Sequence, residues 1–547
     1  MKDAIEPADV VIVGGGPVGL MLAIELRLGG VQPVLLERLP EVSQIPKGNG
    51  LVGQIVPTLA YRGLLDRLAA GATYAGPVPQ FSFGPLRLEL ALLGASPLHI
   101  LAIPQRRLEL RLDERLRELG GSARRGHEVS SLAPDEAGVT LSVTGPAGPY
   151  SIRAAYLVGC DGAHSMVRKQ AGIGFPGYTS ADVSRIGRVT LPTAVLDARN
   201  GEVEIPGVGR LRLTEHIRTP TGGYSIGWQR SLDADAPPGA YIVSTHEAAG
   251  GEPQSQQRDG GDREAPMTLA ELSESVRRVI GGEIPMAEPS WLTRVVGNSR
   301  QADRYQAGRV LLAGDAAHVF GIGGALNSGL LDAINLGWKL AATVTAGAPD
   351  GVLASYHTER HAAGARTLMY SRAQRALGAD GEAAAALREL VGELLRYPEP
   401  LRHVGELMEG ADVRYQMPGS GERPHPLTGR LAPDLRLQVV GGHAGDDSGH
   451  AGDDSGRTGN DDRRTSVAEL MRPAGWVLLD FTPDGRVAAR SAAWHGHVSA
   501  LIARQLREPP LADALLIRPD GYVAWASGPA EADPAAGLHD ALAAWLG

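Results

Sequence analysis

Cysteine is almost missing: Cys160 stands alone among 547 residues, which excludes an intramolecular disulfide and fits a reducing cytoplasm. Long apolar runs are missing too. No uninterrupted stretch reaches the ~20 residues that a membrane-spanning helix needs, so no membrane partner is expected. Positive charge is not in excess, since 53 Lys and Arg against 62 Asp and Glu give a formal net charge of −9. No basic face is therefore expected, and nucleic acid is not expected as a partner. The first residues do not read as a signal peptide: Asp3, Glu6 and Asp9 precede the apolar run, and Gly14-Gly15-Gly16 cuts it short. With 43% hydrophobic and 21% charged residues, the composition is that of a soluble globular protein. Its length is too great for one compact core and suggests about three domains.

Glycine, by contrast, is abundant and placed where chemistry could use it. In the stretch 310–341, Val310-Leu311-Leu312-Ala313 is a short apolar run, as a buried strand would be, and Gly314-Asp315 ends it. A helix is expected from near Ser328, carrying Leu330, Leu331, Ile334, Leu336, Trp338 and Leu340. Between them lie Gly321, Gly323 and Gly324, where backbone can approach a flat or anionic ligand at a helix N-terminus. Such a loop implies a large ligand.

Residues 8–37 have the form of a βαβ unit. The strand Val10-Val11-Ile12-Val13 leads into Gly14-Gly15-Gly16-Pro17-Val18-Gly19, then an apolar helix from Leu20 to Leu28, then the strand Val34-Leu35-Leu36-Glu37. A lone G-x-G-x-x-G is weak in a chain with 72 glycines. Here the strand, the helix and an acid 23 residues beyond Gly14 (37 − 14) agree with it. Gly14 allows the tight turn, Gly16 admits a pyrophosphate, Gly19 lets helix and strand pack closely, and Glu37 can hold a ribose hydroxyl pair.

The remaining segments are blander singly. Lys47-Gly48-Asn49-Gly50 reads as a polar loop, and Gln105 opens an amphipathic helix with Leu108, Leu112 and Leu116 at helical spacing. A β-meander is expected from Glu128-Val129 to Val143. It leads to a second strand-turn-helix with Asp161-Gly162 at the turn and Arg168 one helical turn in. From about 175 to 294 short β-prone runs recur between Gly and Pro turns, as in an inserted antiparallel sheet. Within that span 246–266 reads as a mobile polar loop, and Thr268 to Glu271 as a capping box. Helices are expected at 355–377 and 382–395, a proline-bearing linker at 402–435, and a small α/β domain in the tail. The tandem HAGDDSG repeat, 443–449 and 450–456, clusters Asp and His but matches no metal-ligand spacing, so a surface loop is expected and no metal.

Four separated signals, the glycines of 14–19 with Glu37, Gln105, Asp161-Gly162 and Gly314-Asp315, together resemble one family. It is the FAD-dependent aromatic hydroxylases, the class A flavoprotein monooxygenases typified by para-hydroxybenzoate and phenol hydroxylases. The likeness is greatest to members that tailor aromatic polyketide antibiotics. The resemblance implies an α/β fold with a Rossmann-like FAD-binding domain in two parts, 1–175 and 296–400. An antiparallel β-sheet substrate domain, 176–295, is inserted between them. A linker and flexible loop, 401–465, leads to a thioredoxin-like domain, 466–547, which lacks C-x-x-C and should be redox-inert, serving packing or dimerisation.

It also implies that Gly14, Gly16, Pro17, Val18 and Gly19 cradle the FAD pyrophosphate, while Glu37, with Arg38, holds the adenosine ribose. Lys47 stands where the family usually has an arginine touching the cofactor. Gln105 lies beside the flavin, and Val129 joins the cofactor site. Asp161 and Gly162 serve both FAD and NAD(P)H, with Arg168 in support. Asp315 takes the ribitol chain, and Gly324, Ala325, Leu326 and Asn327 lie beside the ring. The implied reaction is flavin reduction by NADPH (or NADH), O2 addition at C(4a), and oxygen transfer from the C(4a)-hydroperoxyflavin to an electron-rich aromatic small molecule. The flavin itself does the chemistry, with Gly321, Gly323 and Gly324 near its reacting edge and no amino-acid nucleophile. His318 reads as a packed strand-end residue. The inserted sheet should form the substrate pocket wall, and a monomer or homodimer is expected. Baeyer–Villiger oxidation and a redox-neutral, FAD-requiring cyclisation remain as alternatives. The chain departs from the family pattern at 319–326, which lacks the usual proline and glutamine and is one or two residues short. Ala362 also replaces a proline that often follows Glu359-Arg360.

Overall fold

The computed structural model describes residues 5–547 apart from 46–47, 49, 214–215, 234–235, 238, 248–265, 322–323, 346, 422, 444–463, 508 and 530. Lys47, Gly323, most of the 246–266 loop and nearly all of the tandem repeat therefore lie outside the described residues. The largest sheet runs, in order, Gln306–Ala307, Val310–Leu312, Gly148–Gly159, Glu6–Val13, Val34–Glu37, Ala123–Arg125. From Val310–Leu312 to Ala123–Arg125 every neighbouring pair is parallel. Its central strands end in apolar runs whose successive side chains are buried on both faces of the sheet. Val10, Val11, Ile12, Leu157, Val158, Leu311 and Leu312 are wholly buried in one core with the helices Pro17–Leu28, Gln105–Glu118 and Ala325–Thr345.

The register decides where ligands can go. Val13 lies opposite both Leu36 and Gly159, and Gly159 lies opposite Leu312. The carboxyl ends of four adjacent strands are thus level. The turns leaving them carry Glu37, Gly14 to Gly16, Asp161-Gly162 and Gly314-Asp315. In an open parallel sheet this edge is where ligands bind.

The insertion forms a second, antiparallel sheet in the order Ile217–Thr219, Gly222–Trp228, Ala240–Glu247, Gly177–Thr190, Ala287–Gln301, His318–Val319. The helix Leu269–Ile280 buries Leu272, Val276 and Val279 against it, and Thr268 Oγ accepts the Glu271 N–H as a cap. In the tail a six-stranded mixed sheet is ordered Arg464–Ser466, Arg436–His443, Val498–Gln505, Trp476–Asp480, Ala514–Ile517, Val523–Ser527. Its strand Arg436–His443 comes from the stretch read as linker and loop. The helix Pro398–Glu409 likewise overlaps the expected linker. The prolines that mark the linker, Pro418 to Pro433, lie beyond this helix, in which Pro398 occupies the first turn, where a missing N–H costs nothing, and Leu401 and Leu407 supply a buried face.

Candidate functional site

The glycine turn is built by contact. Gly14 has φ +108°, and a Cβ there would stand 2.3 Å from the Cys160 carbonyl oxygen, so the first turn lies against the second. A Cβ on Gly19 would fall 1.9 Å from the Gly14 carbonyl oxygen, which is how the helix Pro17–Leu28 comes so close to the strand. Gly16 is different. A Cβ there would meet nothing within 4 Å, so the space beside the helix N-terminus is open. Pro17 and Val18 form the first turn of that helix, three residues before the expected start at Leu20. Glu37 is fixed at the end of its strand, accepting the N–H groups of Gly15 (2.7 Å) and Leu39 (2.8 Å). Arg38 is exposed beside it. Val129 is buried in the meander opposite Val143.

At the second turn, Asp161 caps the short helix Met166–Gln170. Its carboxylate accepts the Ser165 hydroxyl (2.5 Å) and the N–H groups of Met166 (2.7 Å) and Val167 (3.1 Å). Gly162 has φ +85° and open space around it. Arg168 ties this turn to the third by donating to the carbonyls of Ala163 and Ala316, both at 2.9 Å, with its guanidinium 3.8 Å over the Phe175 ring. At the third turn Asp315 is the exposed residue between buried Gly314 and Ala316.

The helix expected from Ser328 starts at Ala325, so Ala325, Leu326 and Asn327 form its first turn rather than a loop. Ala and Leu favour helix, and Gly324 (φ +87°) makes the entry, its carbonyl accepting the Ser328 N–H at 3.0 Å. Gln105 meets this turn. Its N–H donates to the Gly48 carbonyl (2.8 Å), and a Cβ on Gly48 would lie 3.4 Å from Gln105 Oε1 and 3.7 Å from Leu326. Asn327 accepts the Val52 N–H at 3.1 Å. His318 is buried completely, as read from sequence, with Nε2 2.7 Å from Asp332 and its ring stacked on Phe320. Burial pushes the Asp332 carboxyl up, but His318 and Arg360 more than offset this and hold it below its ordinary value.

Two cavities open here. One of about 480 Å³ shares Gly324 and Asn327 with the helix entry and is walled by Gln54, Phe81, Tyr370 and Glu409. The other, about 400 Å³, lies on the far side of Gly321 and is lined by His164, Arg168, Asn298 and Arg300. The inserted sheet supplies part of the second wall but none of the residues lining the first. Sequence reasoning missed Gln54, Phe81, Tyr370 and Glu409, which sit in separate segments with no motif between them.

The residues fit FAD. The side-chain-free cradle at Gly16 suits a pyrophosphate at a helix N-terminus, Glu37 ends the adjacent strand against the Gly15 N–H, and the Gly314-Asp315 turn is tied to the helix that carries Asn327. Residues 7–371 match the family model for the FAD binding domain, and 455–547 match that for the C-terminal domain of aromatic-ring hydroxylases. Among similar proteins, a 12-dehydrotetracycline 5-monooxygenase/anhydrotetracycline 6-monooxygenase of Streptomyces rimosus is 37% identical over 98% of this chain and 99% of its own. A dialkyldecalin synthase of Streptomyces rugosporus is 35% identical over 98% of both. The solved structure of CabE, an aromatic hydroxylase from angucycline biosynthesis, superposes with a TM-score of 0.81 at 33% identity, covering 99% of each chain. From its level strand ends to its tail, the chain belongs to the FAD-dependent aromatic-ring hydroxylases, the class A flavoprotein monooxygenases.

Proposed function

We propose that the protein consumes NAD(P)H to insert one oxygen of O2 into a polycyclic aromatic small molecule, in the tailoring of a polyketide. The observation that carries this reading is the 480 Å³ cavity beside Gly324 and Asn327, of a size for a small-molecule ligand and lined by both apolar and polar groups. FAD, when bound, supplies the electron and oxygen chemistry, and the chain supplies position and dryness. Gly14, Gly16 and Gly19 hold its pyrophosphate, Glu37 the ribose, Asp315 the ribitol, and Gln105, Leu326 and Asn327 flank the ring. Phe81 and Leu331 exclude water from the substrate. Arg360 is fully engaged with Asp332, Tyr415 and Ser328, so it serves as wall rather than as acid or base. The 400 Å³ cavity, with Arg168 and Arg300 in its wall, offers the positive lining that an anionic hydride donor requires, next to the Asp161-Gly162 turn.

Among the described residues no helix is long and apolar enough to cross a membrane. The reading places the protein in the cytoplasm as a monomer or homodimer. A second reading, redox-neutral cyclisation with FAD retained, is favoured by the end-to-end likeness to a dialkyldecalin synthase. One experiment separates them. NADPH is mixed anaerobically with the FAD-loaded protein and anhydrotetracycline or related polycyclic phenols, and O2 is then admitted. Bleaching of the flavin followed by an oxygenated product supports the monooxygenase. Conversion of a substrate with the flavin never bleached sinks it.

A further inference from the structure

The tail enters the FAD-binding domain by the tip of one hairpin, Arg518 to Tyr522, between the strands Ala514–Ile517 and Val523–Ser527. Arg518 is fully buried, pairs with Glu359 at 2.7 Å, and has the Trp545 and Trp338 rings 4.8 and 5.4 Å away. Asp520 accepts from Asn335 (3.0 Å), and the Pro519 carbonyl accepts from Arg62 (2.7 Å). These contacts fix the hairpin. They do not explain Tyr522, which reaches beyond them to the wall of the larger cavity.

Tyr522 is 3% exposed, and its hydroxyl donates to Gln54 Oε1 at 2.8 Å. Its ring stacks on Tyr415 at 4.3 Å, and the Tyr415 hydroxyl accepts from Arg360 at 2.9 Å. Gln54 and Arg360 both line the cavity. Gln54 is itself buried, and among the described residues its side chain makes no other hydrogen bond. A carboxamide can sit either way round, and its partner decides which end faces a ligand. With Oε1 held by the Tyr522 hydroxyl, Nε2 is the donor that the carboxamide has left to offer at the wall. Burial pushes the Tyr522 phenol well above its ordinary value, so it stays protonated and keeps donating.

Taking the cavity as the substrate site, we propose that Tyr522 of the C-terminal domain is a positioning residue for the substrate. It orients the Gln54 carboxamide so that Nε2 donates to an acceptor oxygen of the aromatic, a ring carbonyl or phenolic oxygen. The tail thereby sets substrate fit without touching substrate.

The test uses the full-length, FAD-loaded protein with a polycyclic phenol that the wild type turns over, anhydrotetracycline first. Binding is read from the flavin spectrum, and coupling from product formed per NADPH consumed. Tyr522→Phe removes only the hydroxyl. It should weaken binding by roughly 3- to 10-fold, the worth of one neutral hydrogen bond, and lower coupling, with FAD content unchanged. Gln54→Leu should do at least as much, and the double variant no more than Gln54→Leu alone, because the two side chains act as one unit. Wild-type binding in Tyr522→Phe with weakened binding in Gln54→Leu overturns the inference and leaves the cavity assignment standing. Additive losses in the double variant overturn it too, since Tyr522 would then act by packing. Wild-type binding in both variants removes the cavity assignment and the inference with it.

Discussion

Replacing Gly16 by valine should separate binding from folding. The backbone there is extended (φ −76°, ψ −174°), a conformation any residue adopts, and a Cβ would meet no atom within 4 Å. The substitution therefore costs the folded apo-protein only the weaker helix cap, on the order of 1 kcal/mol. The same open volume is what the pyrophosphate would fill, so a branched side chain there collides with the ligand and not with the protein. A 100-fold loss of affinity is a modest expectation, about 2.7 kcal/mol. With FAD at 100 times the wild-type dissociation constant, the wild type gains about 2.7 kcal/mol of stability, whereas a variant binding 100-fold more weakly gains about 0.4 kcal/mol. Thermal unfolding with and without FAD, beside the flavin-to-protein ratio after desalting, reads both. A near-normal apo-protein with little flavin and little response to FAD is expected. Stoichiometric flavin in the variant would mean that the cradle lies elsewhere, and collapse of the apo-protein would mean that Gly16 is a packing residue.

Gly19→Ala should behave oppositely: a Cβ 1.9 Å from the Gly14 carbonyl oxygen forces helix and strand apart, so soluble expression or apo-protein stability should fall, whatever the FAD concentration. Asp332→Asn removes the charge that pairs with both His318 and Arg360 in a fully buried site, and denaturant unfolding should register a loss of about 3–5 kcal/mol. Acid should loosen the tail. Burial pushes Glu359 up, but Arg518 and Lys339 more than offset it and hold the carboxyl at about 2 against the ordinary 4.5. A carboxyl lowered on folding contributes stability that is complete above 4.5 and lost as pH falls from 4.5 toward 2. Fluorescence of Trp338, Trp476 and Trp545, which cluster at this junction, should report that loss, and Glu359→Gln should abolish that part of the pH dependence.

What could be read from the sequence was chemistry confined to one turn. Gly14, Gly16, Gly19 and Glu37 announce themselves within a single βαβ unit, and Asp161-Gly162 and Gly314-Asp315 each end an apolar strand. Because the register sets the carboxyl ends of these parallel strands level, motifs read separately meet there. Boundaries were less legible where propensity started an element ahead of its expected first residue, as at Ala325. The larger cavity was illegible for a different reason. Its wall is assembled from a loop near Gln54, a hairpin near Phe81 and two helices bearing Tyr370 and Glu409, none adjacent in sequence. The partnership of Tyr522 with Gln54 spans 468 residues and leaves no local periodicity to detect.

The departure at 319–326 bears on the choice between oxygenation and cyclisation. If the missing proline and glutamine had dismantled the site, the helix entry should be disordered in its contacts. Instead Gly321 donates to Ser299 (3.1 Å), Asn327 holds Val52, and Asp332 accepts the Gly314 N–H at 3.1 Å, so both ends of the segment are anchored. Gly321 also lies on the 400 Å³ cavity lined by Arg168 and Arg300. A positive cavity beside the Asp161-Gly162 turn suits a hydride donor carrying phosphates, which a redox-neutral catalyst does not consume. Arg300→Glu should therefore raise KM for NADPH by about tenfold or more, a charge reversal worth upward of ~1.4 kcal/mol, while leaving binding of the aromatic at its wild-type value. An unchanged KM for NADPH in steady-state assays would remove the hydride-donor reading of that cavity.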